Sequence, residues 1–195
     1  MILTPDFISV DQEIGLIESI DASGLTPFRF RGWQGKRLTM SYGSSFDFVS
    51  GRMLIGEPVP HWLNGLRGRA ADFAGLPAKD LVHVQLTRYD PGAGINWHRD
   101  RPQYGHVVGV SLGAAAALRL RRNIEGKFKR FDVLLAPRSI YLLSGDARQH
   151  WEHSIGSLAA TRWSITFRSL SLAGKAALQH ALVAMSSTAT VGDQR

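Results

Sequence analysis

From residue 81 onward, apolar and polar positions alternate with a period of two. In "LVHVQLTRY", Val82, Val84 and Leu86 are set against His83, Gln85, Thr87 and Tyr89, the pattern of a strand with two unlike faces. "HVVGVSLG", "AALRLRR", "KFKRFDVLL" and "SIYLLSG" follow, bounded by Gly, Pro, Asn or Asp, and "TRWSITFRS" closes the set. Ahead of these strands the period is helical. In "SVDQEIGLIESI", residues 9–20, Ser9 and Gln12 fit a capping box and Ile14, Ile17 and Ile20 recur on one face. A second helix is predicted over Pro60–Ala74, with Trp62, Leu66, Ala70 and Phe73 on a shared face and Gly75 as its stop. Residues 24–56, rich in Gly, aromatics and Arg, show no clean period and are read as strands joined by loops. After Leu172 the chain is rich in Ala and Ser: "AGKAALQHALVAM" suits a helix, and "SSTATVGDQR" is expected to be loose. The pattern predicts one mainly β domain with flanking helices (α+β), a sandwich or barrel with its helices on one side.

Composition narrows the chemistry. The 195 residues suffice for a single core. No apolar run reaches the roughly 18 residues of a membrane span, and "MILTPDFISVDQ" lacks a basic-then-apolar leader, so no membrane association and a cytoplasmic location are expected. There is no cysteine, which excludes disulfides and thiolate zinc sites. The net charge of +7 favours a polyanionic partner, nucleic acid first; a solvated basic surface is the plainer alternative.

With thiolates excluded, any metal must sit on His, Asp or Glu. "INWHRDRP" places His98 and Asp100 two positions apart after a Pro-Gly turn. On a strand, such residues face one side. Two His and one carboxylate leave about three positions of an octahedral ion open, the arrangement of non-haem Fe(II) oxygenases. A third ligand has to come from His106, His150, His153 or His180. His106 follows too closely and His180 lies in the tail. His150 and His153 are three apart, so only one of them points inward from an extended strand, and spacing leaves both open. In "RWSITFR", Arg162, Ser164, Thr166 and Arg168 alternate with Trp163, Ile165 and Phe167. A buried guanidinium needs an anion, which a dicarboxylate would supply; two surface arginines are the plainer reading.

Together, "LTRYDPGAGINWHRD", "VGVSLG", "SGDARQHWEHSI" and "RWSITFR" resemble the AlkB-type family of Fe(II)- and 2-oxoglutarate-dependent dioxygenases, closely over residues 81–169 and more loosely over "RGWQGKRLTMSYGSSFDF". The resemblance implies a double-stranded β-helix, or jelly roll. It implies one catalytic domain over residues 1–172, with a substrate-recognition lid at 24–56, a core at 81–169 and a tail at 173–195. It implies Fe(II) on His98, Asp100 and His153, the last chosen because "His153-Ser154-Ile155" fits the family's ligand step. It further implies that Arg162 pairs with the distal carboxylate of 2-oxoglutarate, that Arg168 stands near the metal-bound end, and that Tyr89 contacts the co-substrate. Thr87 and Ser164 stand where the family often carries asparagine, and both still donate and accept hydrogen bonds.

The implied chemistry consumes O2 and 2-oxoglutarate, yields succinate and carbon dioxide, and hydroxylates a C–H group. On an N-methyl group the product releases formaldehyde. The implied partner is an alkylated base in single-stranded DNA or RNA, as in DNA damage repair, handled by a monomer. Such a base must be reached outside the stack, which calls for aromatic faces and cations. Trp33, Tyr42, Phe46 and Phe48 among Lys36, Arg37 and Arg52 provide them, and Arg148 resembles an arginine that reaches the substrate. The plainer readings are aromatics packed in the core and an Arg148–Asp146 ion pair. Pro102 replaces an acidic residue that helps some repair members read the base. A related dioxygenase acting on protein, modified tRNA or a small molecule is the alternative.

Overall fold

The structure, a computed structural model, describes residues 1–30, 32–47 and 51–191, without the side chains of residues 30, 33 and 184–191. Its strands are β1 (Ile2–Thr4), β2 (Thr26–Phe30), β3 (Trp33–Phe46), β4 (Met53–Ile55), β5 (Leu81–Tyr89), β6 (Ile95–His98), β7 (Tyr104–Gly113), β8 (Ala116–Ile124), β9 (Lys127–Leu135), β10 (Ile140–Leu143), β11 (Glu152–Ile155) and β12 (Arg162–Leu170). Its helices are α1 (Val10–Asp21), α2 (Asn64–Ala74), α3 (Gly145–Gln149) and α4 (Leu172–Val191). A major sheet runs β1-β10-β7-β12-β5-β3-β2, with β4 paired to β3, and a minor sheet runs β6-β11-β8-β9. Every strand pair is antiparallel. The two sheets make the sandwich that the alternating strands predict, in the jelly-roll form that the resemblance implies.

The major sheet is buried on both faces. Its outer face packs Val84, Leu86, Val108, Val110, Ile165 and Phe167 under α1 and α2. Its inner face carries buried polar side chains: His83, Thr87, Ser111, Arg162, Ser164, Thr166 and Arg168. The pairings Arg162↔Tyr89, Ser164↔Thr87, Thr166↔Gln85 and Arg168↔His83 line these residues up across β12 and β5. The alternation in both strands therefore separates two interiors, one apolar and one polar.

Three local expectations need correction. The Ser9–Gln12 capping box caps α1, yet Ile14 is 52% exposed and Glu13 turns inward instead. Glu13 accepts from Gly113 N at 2.8 Å and from Arg138 at 3.3 Å, bonds that no apolar residue could make. The expected second helix begins as a 3-10 turn over His61–Leu63. That tighter winding buries Leu63 and leaves Trp62 37% exposed; Gly75 ends the helix in the left-handed region as expected. The tail is helical to Val191, well beyond Met185, because Ala177, Leu178 and Ala181 pack on Met53, Tyr104 and Leu170.

Candidate metal and co-substrate site

The site lies between the sheets. In the minor sheet, His153 of β11 is in register with His98 of β6, and their ring centroids are 4.2 Å apart. Asp100, two residues past β6, lies with Oδ2 3.8 Å from His153 Nε2. The three side chains singled out from the sequence thus converge. His150 caps the C-terminus of α3 and is exposed. His98 Nδ1 lies 2.8 Å from Asn96 O. A carbonyl only accepts, so Nδ1 carries the hydrogen and Nε2 presents its lone pair.

Among the described residues no three His, Asp or Glu side chains close tightly enough to enclose an ion as they stand. The Asp100 carboxylate is held to one side by Arg168, whose Nε donates to Oδ1 at 2.9 Å. That guanidinium, with the two His and Arg148 nearby, holds the Asp100 carboxyl well below the usual range despite its burial. Burial pushes His153 down to about 4, with His98 adding to the effect, and lowers His98 as well. Both imidazoles are therefore neutral near pH 7 and able to donate lone pairs. The donor set, two neutral imidazoles and one carboxylate, fits a divalent ion with open positions.

The co-substrate side rests on Arg162. It is 1% exposed, its Nε donates to Ser111 Oγ at 3.2 Å, and it stacks 5.3 Å from the Tyr89 ring. Its Nη1 and Nη2 are buried with no partner. An interior guanidinium with two unpaired nitrogens fits a carboxylate taken in bidentate fashion. The Ser-Leu-Gly segment explains itself here. Ser111 fixes Arg162, Leu112 fills the core, and Gly113, at φ 73, clears the Trp163 ring where a Cβ would clash. Thr87 and Ser164 are buried side by side in the floor.

Two residues went unnoticed in the sequence. Tyr141 of β10 is 8% exposed and lies across Gly109, where any Cβ would overlap its ring. Burial pushes its phenol up to about 12 while the Arg162 charge pulls it down, so it is a neutral donor facing the same chamber. The signal was the single tyrosine in "SIYLLSG", whose strand placement alone does not reveal the gap over Gly109. His83 supports Arg168: Arg168 Nη1 lies 3.3 Å from His83 Nδ1 and 3.2 Å from Gln85 Oε1.

The substrate expectations fare less evenly. Phe46 sits at the rim, with the Arg101 guanidinium 5.7 Å from its ring and its N–H directed at Tyr104 Oη at 3.4 Å. Tyr42 does not face the site. It pairs with Val84 and packs with Met40 into the helix-side core, because the period of two ahead of Gly43 puts Met40 and Tyr42 on the outer face. The side chain of Trp33, and Phe48 altogether, lie outside the described residues. Arg148 is buried and donates through Nη2 to Arg101 O and to Tyr104 O, the latter at 2.7 Å. It ties down the loop after Asp100, and Asp146 pairs with Arg122 instead.

The model of the 2OG-Fe(II) oxygenase superfamily matches residues 5–168. The chain belongs to that superfamily. It is a 2-oxoglutarate-dependent dioxygenase of AlkB type, and Fe(II), 2-oxoglutarate and O2 are the cofactors that membership implies. An uncharacterized protein, L905, of Acanthamoeba polyphaga mimivirus is 26% identical over 85% of this chain and 82% of its own length. The Xenopus tropicalis tRNA (carboxymethyluridine(34)-5-O)-methyltransferase alkbh8 is 28% identical over 80% of this chain, which spans only 25% of that protein. The Danio rerio probable RNA/DNA demethylase ALKBH6 is 24% identical over 77% of this chain and 67% of its own. In fold, the chain resembles the structure of OsALKBH1, with a TM-score of 0.65 and 17% identity over 86% of this chain and 95% of that one. No helix of the described residues is long and apolar enough to cross a membrane.

Proposed function

We propose that this oxygenase oxidises N-alkyl groups on bases in nucleic acid, in the manner of DNA repair, with His98, Asp100 and His153 holding the metal and Arg162, Arg168, Tyr89, Thr87 and Ser164 serving the co-substrate. Bound iron with 2-oxoglutarate and O2 supplies the oxidation of a C–H bond, the keto acid leaving as succinate and carbon dioxide. The chain's residues provide order. Arg162, fixed by Ser111, offers its buried, unpartnered Nη1 and Nη2 to a carboxylate. Arg168, held by His83 and Gln85, pins Asp100 Oδ1 and leaves Oδ2 toward His153. Asn96 O fixes the His98 tautomer. A hydroxylated N-methyl group then separates as formaldehyde, restoring the base.

One observation supports nucleic acid as the substrate: the rim beside Asp100 is cationic and aromatic. Arg99 and Arg101 flank the carboxylate, and Arg101 stacks near Phe46. With a net charge of +7, such a rim suits a phosphate backbone and an unstacked base. The names of the frog and fish relatives point the same way. The frog protein's name also favours a second reading, oxidation of a modified tRNA base. Single-stranded DNA and RNA oligonucleotides carrying one N-methylated base test the proposal. Formaldehyde and succinate in equal amounts, dependent on the methyl group, are expected. Succinate formation indifferent to every methylated oligonucleotide overturns it.

A further inference from the structure

Arg37 stands in β3, among the cations that the sequence offers to a nucleic acid with Lys36 and Arg52, yet it is only 9% exposed. It alternates with Leu38 and so lies on the face of Thr39, which pairs with Thr87 on the inner side of the major sheet. Its charge is felt at His98 and shares a field with Tyr89 and Arg168. It therefore points into the polar interior, on the lid side of β5, away from the β12–β7 side where Arg162 binds Ser111. The Phe28 ring covers one face of the guanidinium, with the centroid 3.8 Å from Cζ. Stacking leaves the edge with its five N–H donors turned toward what solvent still reaches the side chain. Among the described residues no carboxylate and no carbonyl takes any of them.

A largely buried cation without a counter-charge is costly, and burial lowers the Arg37 pKa accordingly. Of the charged groups around it, Tyr89 favours the charged form and the Arg168 guanidinium opposes it. Such a seat selects an anion. The co-substrate has two carboxylates, and the site already offers Arg162 for one and the metal that His98, Asp100 and His153 would hold for the other. A third anion must arrive with the primary substrate.

We infer that Arg37 is the seat for a phosphodiester next to the base being oxidised. This rests on the nucleic-acid reading above and deepens it: the guanidinium would fix the backbone at the site itself, so that a free base or nucleoside lacks a contact that an oligonucleotide makes. A bidentate guanidinium–phosphate pair held against Phe28 has one orientation, which places the neighbouring base relative to His98.

The test uses the full chain loaded anaerobically with Fe(II) and 2-oxoglutarate, and measures binding of a single-stranded oligonucleotide carrying one N-methylated base. A neutral methylphosphonate linkage is placed in turn on the 5′ and the 3′ side of that base. We expect one placement to weaken wild-type binding about tenfold or more. Arg37→Gln should weaken binding of the unmodified backbone equally, and the two changes together should cost no more than either. Arg37→Lys should recover part of the loss. The visible band given by Fe(II) with 2-oxoglutarate should titrate alike in wild type and Arg37→Gln, which also shows that the variant folds. Multiplying losses at both placements, or unchanged binding by Arg37→Gln, overturns the assignment. A tenfold weaker 2-oxoglutarate titration in Arg37→Gln also overturns it, by giving the arginine to the co-substrate. If wild type itself binds no oligonucleotide, the nucleic-acid reading fails and this inference with it, an outcome recognised without any variant.

Discussion

His98 and His153 face each other across the β6–β11 pair with ring centroids 4.2 Å apart. Two desolvated, neutral imidazoles at that distance share no hydrogen bond; on the proposed reading a metal ion is their common partner. His98→Ala is therefore expected to abolish substrate-coupled succinate formation. It should weaken binding of Mn(II), used as an inert probe, by more than the roughly 10–100-fold that outer partners of metal ligands carry. The metal-free variant should melt within a few degrees of wild type, since no protein bond is lost beyond the one to Asn96. Unchanged Mn(II) affinity, read by calorimetry, removes His98 from the site.

Arg162 gives a prediction with opposite signs. Its Nη1 and Nη2 are buried without partners, so the protein without co-substrate carries an uncompensated charge. Arg162→Met should raise the melting temperature of the free protein while weakening 2-oxoglutarate binding by about 2–5 kcal/mol, the range for removing one partner of a buried charge pair. Thermal melts with and without 2-oxoglutarate check both halves: the ligand-induced rise seen in wild type should vanish in the variant. A variant that is both less stable and still stabilised by the keto acid contradicts the role.

These sites were legible to different degrees. Arg162 and Arg168 could be found because alternation in a strand assigns a side to each residue, and His98 and Asp100 because a His-x-Asp pair after a Pro-Gly turn is a recognisable spacing. The choice of His153 over His150 needed more than spacing: the family's ligand step favours His153, and the cross-strand register to His98 agrees with it. Tyr42 was misplaced because a tyrosine on an aromatic-rich segment carries no mark of which face it serves; its neighbours Met40 and Val84 decide that. Tyr141 was hidden, and the burial of Arg37 was not foreseen, for a related reason. Their meaning comes from what is missing beside them, a counter-charge in one case and a side chain at Gly109 in the other.

Tyr141 should matter to the co-substrate. Its phenol faces the chamber that Arg162 closes, and Tyr141→Phe removes the donor while keeping the ring over Gly109. An increase of several-fold in KM for 2-oxoglutarate is expected, about the 0.5–1.5 kcal/mol of one hydrogen bond, with kcat and Mn(II) affinity little changed. Gly109→Ala, by contrast, forces the ring aside and should cost about 1–3 kcal/mol of stability. Equal KM values in wild type and Tyr141→Phe exclude the contact.

His83 makes acid sensitivity predictable. Burial, with the Arg168 charge next, pushes its pKa down to about 3, whereas in the unfolded chain it titrates near 6.5. Between those values the unfolded chain binds a proton that the folded protein refuses. Its contribution is thus fully present above pH 6.5 and is lost as the pH falls toward 3. His83→Gln keeps an acceptor for Arg168 and does not titrate. Urea midpoints at pH 7 and pH 4.5 should therefore fall less in His83→Gln than in wild type, although the variant is the less stable protein at pH 7. Equal falls in both proteins would mean that the ring gains its proton without unfolding, and that the Arg168–Asp100 pair does not depend on a neutral His83.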